Sequence, residues 1–503
     1  MNKLFLTAVT GSLVALSSCS QEDVTPVKAE RDYSISFRAG VASRVNPELD
    51  YTGNPSTFYV TAFPNSHKAI DGELPNALFW DEPFYLMGAN IYASTSNQKW
   101  PSREQADKVE FFAYAPSLEE IQTAGLTQLS GSASSVDREN YIHGMQFYNL
   151  CQDNAPLDPL NTNTFTGVQL YKGFKLGRFY VATDISKQVD FITAHISADV
   201  PSSEDDANLG VELKFKHQLS NIELQAFSGN KDFNIEIAGV RIGRPYTGSA
   251  IFNFCDAEGN LDNKDGGQWG IAKDPQRRPV EYIYGEGDKI YQMGMFNTMN
   301  GTEIGKTSSH GTPAQAASIM GQGGNAMVLP TKNGAWAGED NAWIAPKYQA
   351  ENDDKNPKPW SADSEEGDMY FSILLRVTLK PEGNELNTAQ IYPYGNNTTM
   401  NVVYIEKEKN STNIVRQVSS KTPSDLGANN EVVEFGWAAV PVGVNWERGK
   451  KYIYTLDFTD GVGIQDPEDP KPGTPIIGDG IKFSVSVVGW DEIKNDNKVP
   501  QEY

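Results

Sequence analysis

Apolar residues recur at every second position along most of this chain. Near its start, Ile35 and Phe37 alternate with Ser34 and Ser36. Successive side chains of a β-strand point to opposite faces of a sheet, so this alternation is typical of a strand with one buried and one solvated face. Further segments carry the same pattern: Phe58-Val60-Ala62, Val211-Leu213-Phe215, Ile222-Leu224-Ala226, Phe233-Ile235-Ile237, Tyr452-Tyr454-Leu456 and Phe483-Val485-Val487, counting alternate residues only.

Helical periodicity is nearly absent, since only residues 117–123 and 314–320 favour a turn or two of helix. Antiparallel sheets with one wet face produce the observed alternation, so the sequence predicts a mainly β fold made of β-sandwiches. A polar, glycine-rich stretch without strand pattern follows Phe254. It predicts a boundary between an N-terminal domain (33–260) and a C-terminal domain (261–503).

The charge balance excludes one class of partner. The 503 residues include 42 Lys and Arg against 65 Asp and Glu, which gives a net charge of −23. A protein that binds nucleic acid needs a basic surface to displace counterions from phosphates, and this surplus of carboxylates repels them. We therefore expect no nucleic-acid partner, and the same repulsion disfavours anionic membrane surfaces.

The first residues are typical of a secretory signal peptide. Lys3 precedes an apolar run over residues 4–16, which is too short to cross about 30 Å of hydrocarbon as a helix. The run ends in Leu16-Ser17-Ser18-Cys19, which resembles the lipobox of bacterial lipoproteins. The resemblance implies cleavage by signal peptidase II between Ser18 and Cys19, lipidation of Cys19, a tether over residues 19–32, and a lipid-anchored protein of the outer membrane or cell surface. The alternative is an ordinary signal peptide with a chance cysteine.

The sequence shows no catalytic constellation, so we expect no enzyme activity and no cofactor or metal site. The five histidines are too far apart in the chain for a zinc site of local ligands. Acidic clusters at residues 204–206, 353–354 and 466–469 are predicted to be solvated loop charges, with incidental calcium left open. Two cysteines, Cys151 and Cys255, remain in the chain after Cys19, either bridged or as buried thiols.

Tryptophans in or beside predicted loops are a clue to binding. In such places an indole can stack on a sugar ring or on a partner surface, or it can plug the open end of a sandwich. Both readings apply to Trp80, Trp100, Trp336, Trp343 and Trp360.

A set of short strings points to a known family. In the first half they are residues 34–40 (SISFRAG), 58–63 (FYVTAF), 109–116 (VEFFAYAP) and 215–222 (FKHQLSNI). In the second half they are residues 328–330 (VLP), 440–442 (VPV), 446–454 (WERGKKYIY) and 481–487 (IKFSVSV). Together, and in this order, the strings resemble the fimbrillin-like lipoproteins of Bacteroidetes.

The resemblance implies two transthyretin-like, Greek-key β-sandwich domains in a pilus subunit or accessory protein that acts in cell adhesion. Members of that family lose an N-terminal segment to a trypsin-like protease and polymerise with other subunits by donor-strand exchange. The removable strand would be residues 33–37, and the candidate cleavage points are Arg38 and Arg44. Arg44 is favoured because it follows the small residues Ala42 and Ser43 outside the strand.

Other interpretations remain open from the residues alone. The two arginines are plain surface charges if the strand stays in place, as would suit an anchor, a tip subunit or a solitary adhesin. A rival function is a surface glycan-binding lipoprotein of a polysaccharide-utilisation system, with a glycan or protein receptor. A third is a secreted glycosidase whose carboxylates come from distant strands.

Overall fold

The computed structural model of this chain describes the residues that build its sheets. These are residues 33–39, 55–64, 78–88, 90–116, 147–149, 174–179, 181–254, 267–276, 278–296, 306–307, 310–330, 369–379, 389–394, 401–442, 444–469, 475–478, 480–489 and 501–502.

Strands make up most of the described residues before position 260. They are β1 (Ser36–Ala39), β2 (Thr57–Pro64), β3 (Phe79–Gly88), β4 (Ile91–Ala93), β5 (Lys108–Ala115), β6 (Phe147–Asn149), β7 (Phe174–Phe179), β8 (Ile192–Asp199), β9 (Val211–Leu213), β10 (Lys216–His217), β11 (Ser220–Phe227), β12 (Phe233–Gly243) and β13 (Gly248–Asn253). A 3₁₀ turn spans Ile185–Lys187. A short helix, α1 (Glu204–Asn208), begins after Ser203, whose hydroxyl accepts a hydrogen bond from the backbone N–H of Asp206.

The described residues after position 260 also form mainly strands. Its strands are β14 (Gln268–Gln276), β15 (Val280–Ile283), β16 (Tyr291–Phe296), β17 (Lys306–Thr307), β18 (Ala317–Ser318), β19 (Ala326–Val328), β20 (Tyr370–Leu379), β21 (Gln390–Tyr392), β22 (Val402–Glu408), β23 (Ile414–Val418), β24 (Asn430–Pro441), β25 (Lys450–Asp457), β26 (Ile464–Gln465), β27 (Lys482–Gly489) and β28 (Gln501–Glu502). Of the helical turns expected at residues 314–320, the structure has one 3₁₀ turn at Pro313–Gln315, which is followed by strand β18. A further 3₁₀ turn spans Gly321–Gly323. Residues 117–123 lie outside the described residues.

An eight-stranded sheet occupies the N-terminal part, in the order β10-β8-β5-β2-β3-β4-β1-β9. Its two edge strands, β9 and β10, are separated in the chain only by Lys214 and Phe215, so the two edges must lie close together. The sheet is therefore curled around its own core. Members of this core include the fully buried Phe37, Phe58, Val60, Phe84, Phe111 and Leu213.

Two further sheets form a β-sandwich. A ten-stranded sheet has the order β17-β16-β12-β20-β24-β22-β23, with β15, β21 and β26 paired beside this path to β12, β20 and β24. A six-stranded sheet has the order β18-β11-β25-β27-β28, with β19 also paired to β11. Their facing sides share one core, in which the rings of Phe371 (β20) and Tyr454 (β25) meet edge to face at 4.6 Å. A four-stranded sheet, β14-β13-β7-β6, contributes Phe252 to the same core. The mainly β, sandwich-type fold predicted from the alternation is confirmed.

Backbone pairing contains features that the alternation did not reveal. β11 pairs with β25 in parallel over seven residues, and β1 pairs with β9 in parallel. Pairing also crosses the predicted boundary at residues 260 and 261, because β12 pairs with β20 and β11 with β25. The chain passes from the eight-stranded sheet to the sandwich at Gln218 and Leu219. The boundary itself stays a prediction.

In the part of the chain that the structure describes, no helix is long and apolar enough to cross a membrane. Within the same residues, no group of three or more His, Cys, Asp or Glu side chains comes together in a way that would hold a metal ion.

The acidic cluster at residues 466–469 differs from its prediction as solvated charge. Asp466 and Asp469 are only 1% and 3% exposed. Asp466 accepts a hydrogen bond from the Ser372 hydroxyl, and Asp469 Oδ1 accepts one from Asn401 N at 3.0 Å, while Asp469 Oδ2 is buried without a partner. The cluster at residues 204–206 is exposed, as predicted, and lies in the first turn of α1.

Asp469→Asn should stabilise the fold at high pH and leave it unchanged at low pH. Burial, together with the nearby carboxylates of Asp466 and Glu468, raises the pKa of Asp469 from 3.8 to about 6. The folded state then holds the proton more tightly than the unfolded state, so the stabilising effect is complete below about pH 3.8 and is lost as the pH rises through 6. We expect the variant to melt roughly 2–4 °C higher than the wild type at pH 8.

The measurement is thermal unfolding by circular dichroism between pH 4 and pH 8. Asp232→Asn, at an exposed turn, is the matched control and should shift the melting temperature equally at both pH values. A gain for Asp469→Asn that is as large at pH 4 as at pH 8 would contradict the assignment.

Candidate functional site: the groove of strand β1

The strand predicted to be removable lies inside a sheet rather than at its edge. β1 pairs antiparallel with β4, where Phe37 faces Tyr92, and parallel with β9, where Phe37 faces Val211. We call the slot between β4 and β9 the β1 groove. If β1 left, both neighbours would present unpaired N–H and C=O groups along the slot.

The chain before β1 extends the pairing. Ile35 N donates to Gln98 O at 2.8 Å, and Trp100 N donates to Tyr33 O at 2.9 Å. The predicted strand from residue 33 to residue 37 is therefore confirmed as extended and paired, although the regular ladder runs on to Ala39. At this end of the groove the Ser34 hydroxyl donates to Asn97 Oδ1 at 2.8 Å.

Phe37 is the main side-chain anchor of β1. Its ring lies edge-on to Phe84 at 4.7 Å, to Phe111 at 5.1 Å and to Phe58 at 5.8 Å between ring centres. Ile35, two residues earlier, is buried in the same core. The inward side chains thus make the groove a two-pocket slot, one pocket for an aliphatic residue and one for an aromatic residue.

The outward face of β1 is close to the backbone of the turn that leads into β9. A Cβ on Gly210, whose φ is +70°, would lie 3.1 Å from Ser36 Oγ and 3.3 Å from Ser36 O. Glycine at this position therefore allows close approach of the two chains as well as the left-handed backbone. Arg38 is exposed on the same face and lies opposite Glu212 in the ladder.

The two candidate cleavage points differ in their setting. Arg38 lies within β1, where its backbone is paired with Ile91 of β4 and Glu212 of β9. A protease needs an extended, unpaired segment in its cleft, so Arg38 is a poor substrate while β1 is in place. Arg44 lies outside the described residues, in the connection between β1 and β2. The lipidation residue Cys19 and its neighbour Ser18 also lie outside them.

The tryptophans give only limited support to sugar stacking. Trp100 is buried in the core of the eight-stranded sheet, with its ring 5.5 Å from that of Phe111 and edge-on to it. It fills the core next to the strand that starts at Tyr33, so for this residue the plug interpretation is correct and the binding interpretation is wrong. The side chain of Trp80 lies outside the described part of the structure, as do Trp336, Trp343 and Trp360.

A buried pair, His195 and Glu110, could not be predicted from the sequence. His195 Nε2 (β8) lies 2.7 Å from Glu110 Oε2 (β5), and the ring of His195 stacks on Phe112. Burial opposes ionisation of Glu110, but hydrogen bonds from His195 and Ser197 outweigh it and lower the pKa of Glu110. The residues are 85 positions apart, so spacing in the sequence gives no signal for them. Both side chains are buried between the strands, so the pair does not face solvent as an exposed acid and base.

Comparison with known proteins gives matches to solved structures. No protein-family model and no curated protein matches the chain. A fimbrial protein from Bacteroides vulgatus is similar over 91% of this chain and 99% of its own, with 13% identity and a TM-score of 0.43. A protein described as a cell adhesion protein from Parabacteroides distasonis is similar over 92% of this chain and 100% of its own, with 10% identity and a TM-score of 0.37. Another, from Bacteroides uniformis, is similar over 92% of this chain and 98% of its own, with 10% identity and a TM-score of 0.31.

These structural neighbours are described as fimbrial and cell adhesion proteins of Bacteroides and Parabacteroides. The likeness is distant, since each identity is 13% or lower and each TM-score is below 0.5.

Replacing the Phe37 ring should weaken the eight-stranded sheet more than any other change in β1. Phe37→Ala removes a fully buried aromatic side chain and leaves a cavity among three rings, which typically costs 3–5 kcal/mol, so about this loss is expected in the free energy of unfolding. Arg38→Ala, on the exposed face of the same strand, is the control and should stay within about 0.5 kcal/mol. Urea unfolding followed by tryptophan fluorescence measures both, and equal losses for the two variants would contradict the burial of Phe37.

Proposed function

We propose that this protein is a cell-surface adhesion protein, a fimbrial subunit that assembles by exchange of the strand in its β1 groove. The observation that carries the proposal is the position of β1. It is a short strand at the N-terminal end of the described chain, yet it lies between two other strands and fills the core with Phe37.

A donated strand would restore both the backbone pairing and the side-chain packing that are lost when β1 leaves. Loss of β1 would expose the backbone edges of β4 and β9 and would empty the pockets of Ile35 and Phe37. An incoming strand restores the backbone hydrogen bonds and fills the pockets, which is the general logic of recognition by strand addition. The empty groove is therefore the state from which assembly is favourable.

Cleavage in the connection between β1 and β2 would make that loss possible. The connection contains Arg44, whereas Arg38 is held in the ladder. We therefore assign processing to Arg44. After cleavage β1 would be held by three ladder pairs on each side, by the hydrogen bonds of Tyr33 and Ile35 and by its two buried side chains, so a strand with equal anchors could displace it.

Strand β27, near the C-terminal end of the chain, is the candidate donor. It pairs with β25 along its whole length and with two residues of β28 on its other side, so donation would require it to leave β25. Ile481 and Phe483 have the same spacing as Ile35 and Phe37, so a strand from another subunit would bring an aliphatic and an aromatic side chain to the two pockets. The proline-rich run before β27 supplies a connection to it.

Lipidation at Cys19 would hold the uncleaved protein at the outer membrane. In this proposal the lipid anchor is lost with the N-terminal segment when Arg44 is cut, so release from the membrane and opening of the groove become one event.

Limited trypsin treatment of the mature chain tests the proposal. We expect a nick after Arg44, release of a peptide that contains β1 and ends at Arg44, and ladders of the nicked protein that resist SDS. Arg44→Gln should abolish the nick, the peptide and the ladders together, because the connection can no longer be opened there.

Arg38→Gln is the matched control, since it removes an arginine six residues away and should leave all three signals intact. Ladders that persist in Arg44→Gln would refute processing at this residue. A clean nick with release of the peptide but no ladder from the wild-type protein would refute strand exchange.

A further inference from the structure

The wall of the β1 groove contains a buried hydrogen-bond donor that β1 does not satisfy. Trp100 lies in the core of the eight-stranded sheet, and its indole Nε1 is buried without a hydrogen-bond partner in the part of the chain that the structure describes. The ring of Phe111 lies 5.5 Å from the indole, but the π face of a ring is a weak acceptor. Buried N–H groups without an acceptor are rare in folded proteins, so this one calls for an explanation.

Trp100 belongs to the groove because it pairs with the chain just before β1. Ser34 and Lys99 lie opposite each other in an antiparallel bridge, and Trp100 N donates to Tyr33 O at 2.9 Å. This register places residue 33 opposite Trp100. Side chains that lie opposite each other in an antiparallel pair share one face, with their Cβ atoms about 4.5–5.5 Å apart. The side chain at position 33 of any strand that fills the groove is therefore a neighbour of the indole.

Trp100 stays with its subunit when β1 leaves. It lies in the chain that follows β4, and its ring packs against Phe111 of β5. Tyr33, which is half-buried, would depart with β1, and within the described residues neither it nor any other group accepts a hydrogen bond from the indole. The face of the indole is buried and is not offered to a ligand. What an incoming strand meets is the N–H alone, a donor that the departing strand left unpaired.

The sequence before β27 supplies the missing acceptor. In the proposed exchange, Ile481 and Phe483 take the two pockets of the groove. The residue two positions before Ile481 then takes the place of Tyr33, and that residue is Asp479. Its position is read from the sequence, because Asp479 lies outside the described residues. A carboxylate accepts stronger hydrogen bonds than a neutral group, and the half-buried setting of position 33 leaves one side of it to water.

We infer that Trp100 determines which strand the groove prefers: its indole N–H selects a strand with an acceptor side chain two residues before the aliphatic anchor, and Asp479 of a second copy of this chain provides that acceptor. The inference rests on the proposed strand exchange and adds to it a polar contact that distinguishes β1 from its replacement. β1 fills both pockets and leaves the N–H unpaired, whereas the incoming strand fills the pockets and pairs the N–H. An unpaired buried donor is costly, so this difference favours exchange between two strands with similar anchors.

Peptide binding to trypsin-nicked protein, measured after the protease has been inhibited, tests the inference. The ligand is a synthetic peptide with the sequence of residues 477–487. Asp479→Ala removes the acceptor, and Asp479→Asn keeps an acceptor oxygen. Ser484→Ala is the matched control, because in this register Ser484 takes the outward place of Arg38. We expect the Asp479→Ala peptide to bind about fivefold or more weakly than the wild-type peptide, the Asp479→Asn peptide to bind more tightly than Asp479→Ala, and the control to match the wild type.

The same peptides assign the contact to the indole when the protein carries Trp100→Phe. Phenylalanine keeps an aromatic ring but has no N–H, so the wild-type and Asp479→Ala peptides should bind this variant equally. The peptide series on the wild-type protein does not depend on the folding of Trp100→Phe.

Nuclear magnetic resonance of protein that is isotope-labelled at its tryptophan indole nitrogens gives a direct signature. The indole signal that Trp100→Phe lacks should move to lower field when the wild-type peptide binds, because a hydrogen bond deshields the indole proton. It should not move in this way with the Asp479→Ala peptide or with a peptide of residues 33–40, since neither provides the acceptor.

Other outcomes overturn the inference in distinguishable ways. Equal binding of the wild-type and Asp479→Ala peptides, with binding of the 33–40 peptide intact, would remove the role of Trp100 and leave strand exchange standing. A difference between these two peptides that persists in Trp100→Phe would place the contact on another group. Binding of the 33–40 peptide without any binding of the 477–487 peptide would exclude this segment as the partner. Absence of binding by both peptides would end the proposed function and this inference with it.

Discussion

The N-terminal sheet depends on the contact between Phe37 and the three rings around it. β1 makes only three ladder pairs on each side, and the pairing with β9 is parallel, the slightly weaker arrangement. Its backbone bonds would therefore be a modest restraint by themselves. Burial of Ile35 and Phe37, at roughly 1.5–3 kcal/mol for each side chain, fixes the register, because a slip by one residue would turn both out of the core. Any strand that replaces β1 must meet the same two requirements, one in the backbone and one in the pockets.

The sandwich does not share this dependence on a short strand. β11 pairs with β25 over seven residues, and β25 pairs with β27 over eight. Gln218 lies where the chain leaves the eight-stranded sheet, and two later residues bind it. Trp269 Nε1, in β14, donates to the Gln218 backbone oxygen at 2.5 Å, and Arg448 Nη1, just before β25, donates to the Gln218 side-chain oxygen at 3.1 Å. The junction is thus held without β1, so departure of β1 opens the groove while the passage to the sandwich keeps its contacts.

The sequence was most informative where structure follows from local pattern. Alternation predicted the strands because burial of every second residue is a property of the strand itself, and it also predicted the inward direction of Ile35 and Phe37. It failed where partners are distant. Ser372 and Asp466 are 94 positions apart, so nothing local indicated that the acidic loop would be buried. Val487 was expected inside by alternation, yet the alternation ends after Val485 and Val487 is exposed. The candidate site was predictable as a strand but not as a groove, because β4 and β9 meet β1 only through the topology.

Curling of the eight-stranded sheet leaves only short free edges through which other chains could pair. Free sheet edges invite pairing with other chains, and here the two edge strands, β9 and β10, are three and two residues long. The interior edges of β4 and β9 are covered as long as β1 is in place. In the proposed assembly, cleavage of one peptide bond lets β1 leave and converts these covered edges into a template. The high negative charge of the chain opposes association of cleaved and uncleaved copies alike, so in the proposed assembly the pairing and packing gained in the groove must outweigh this repulsion.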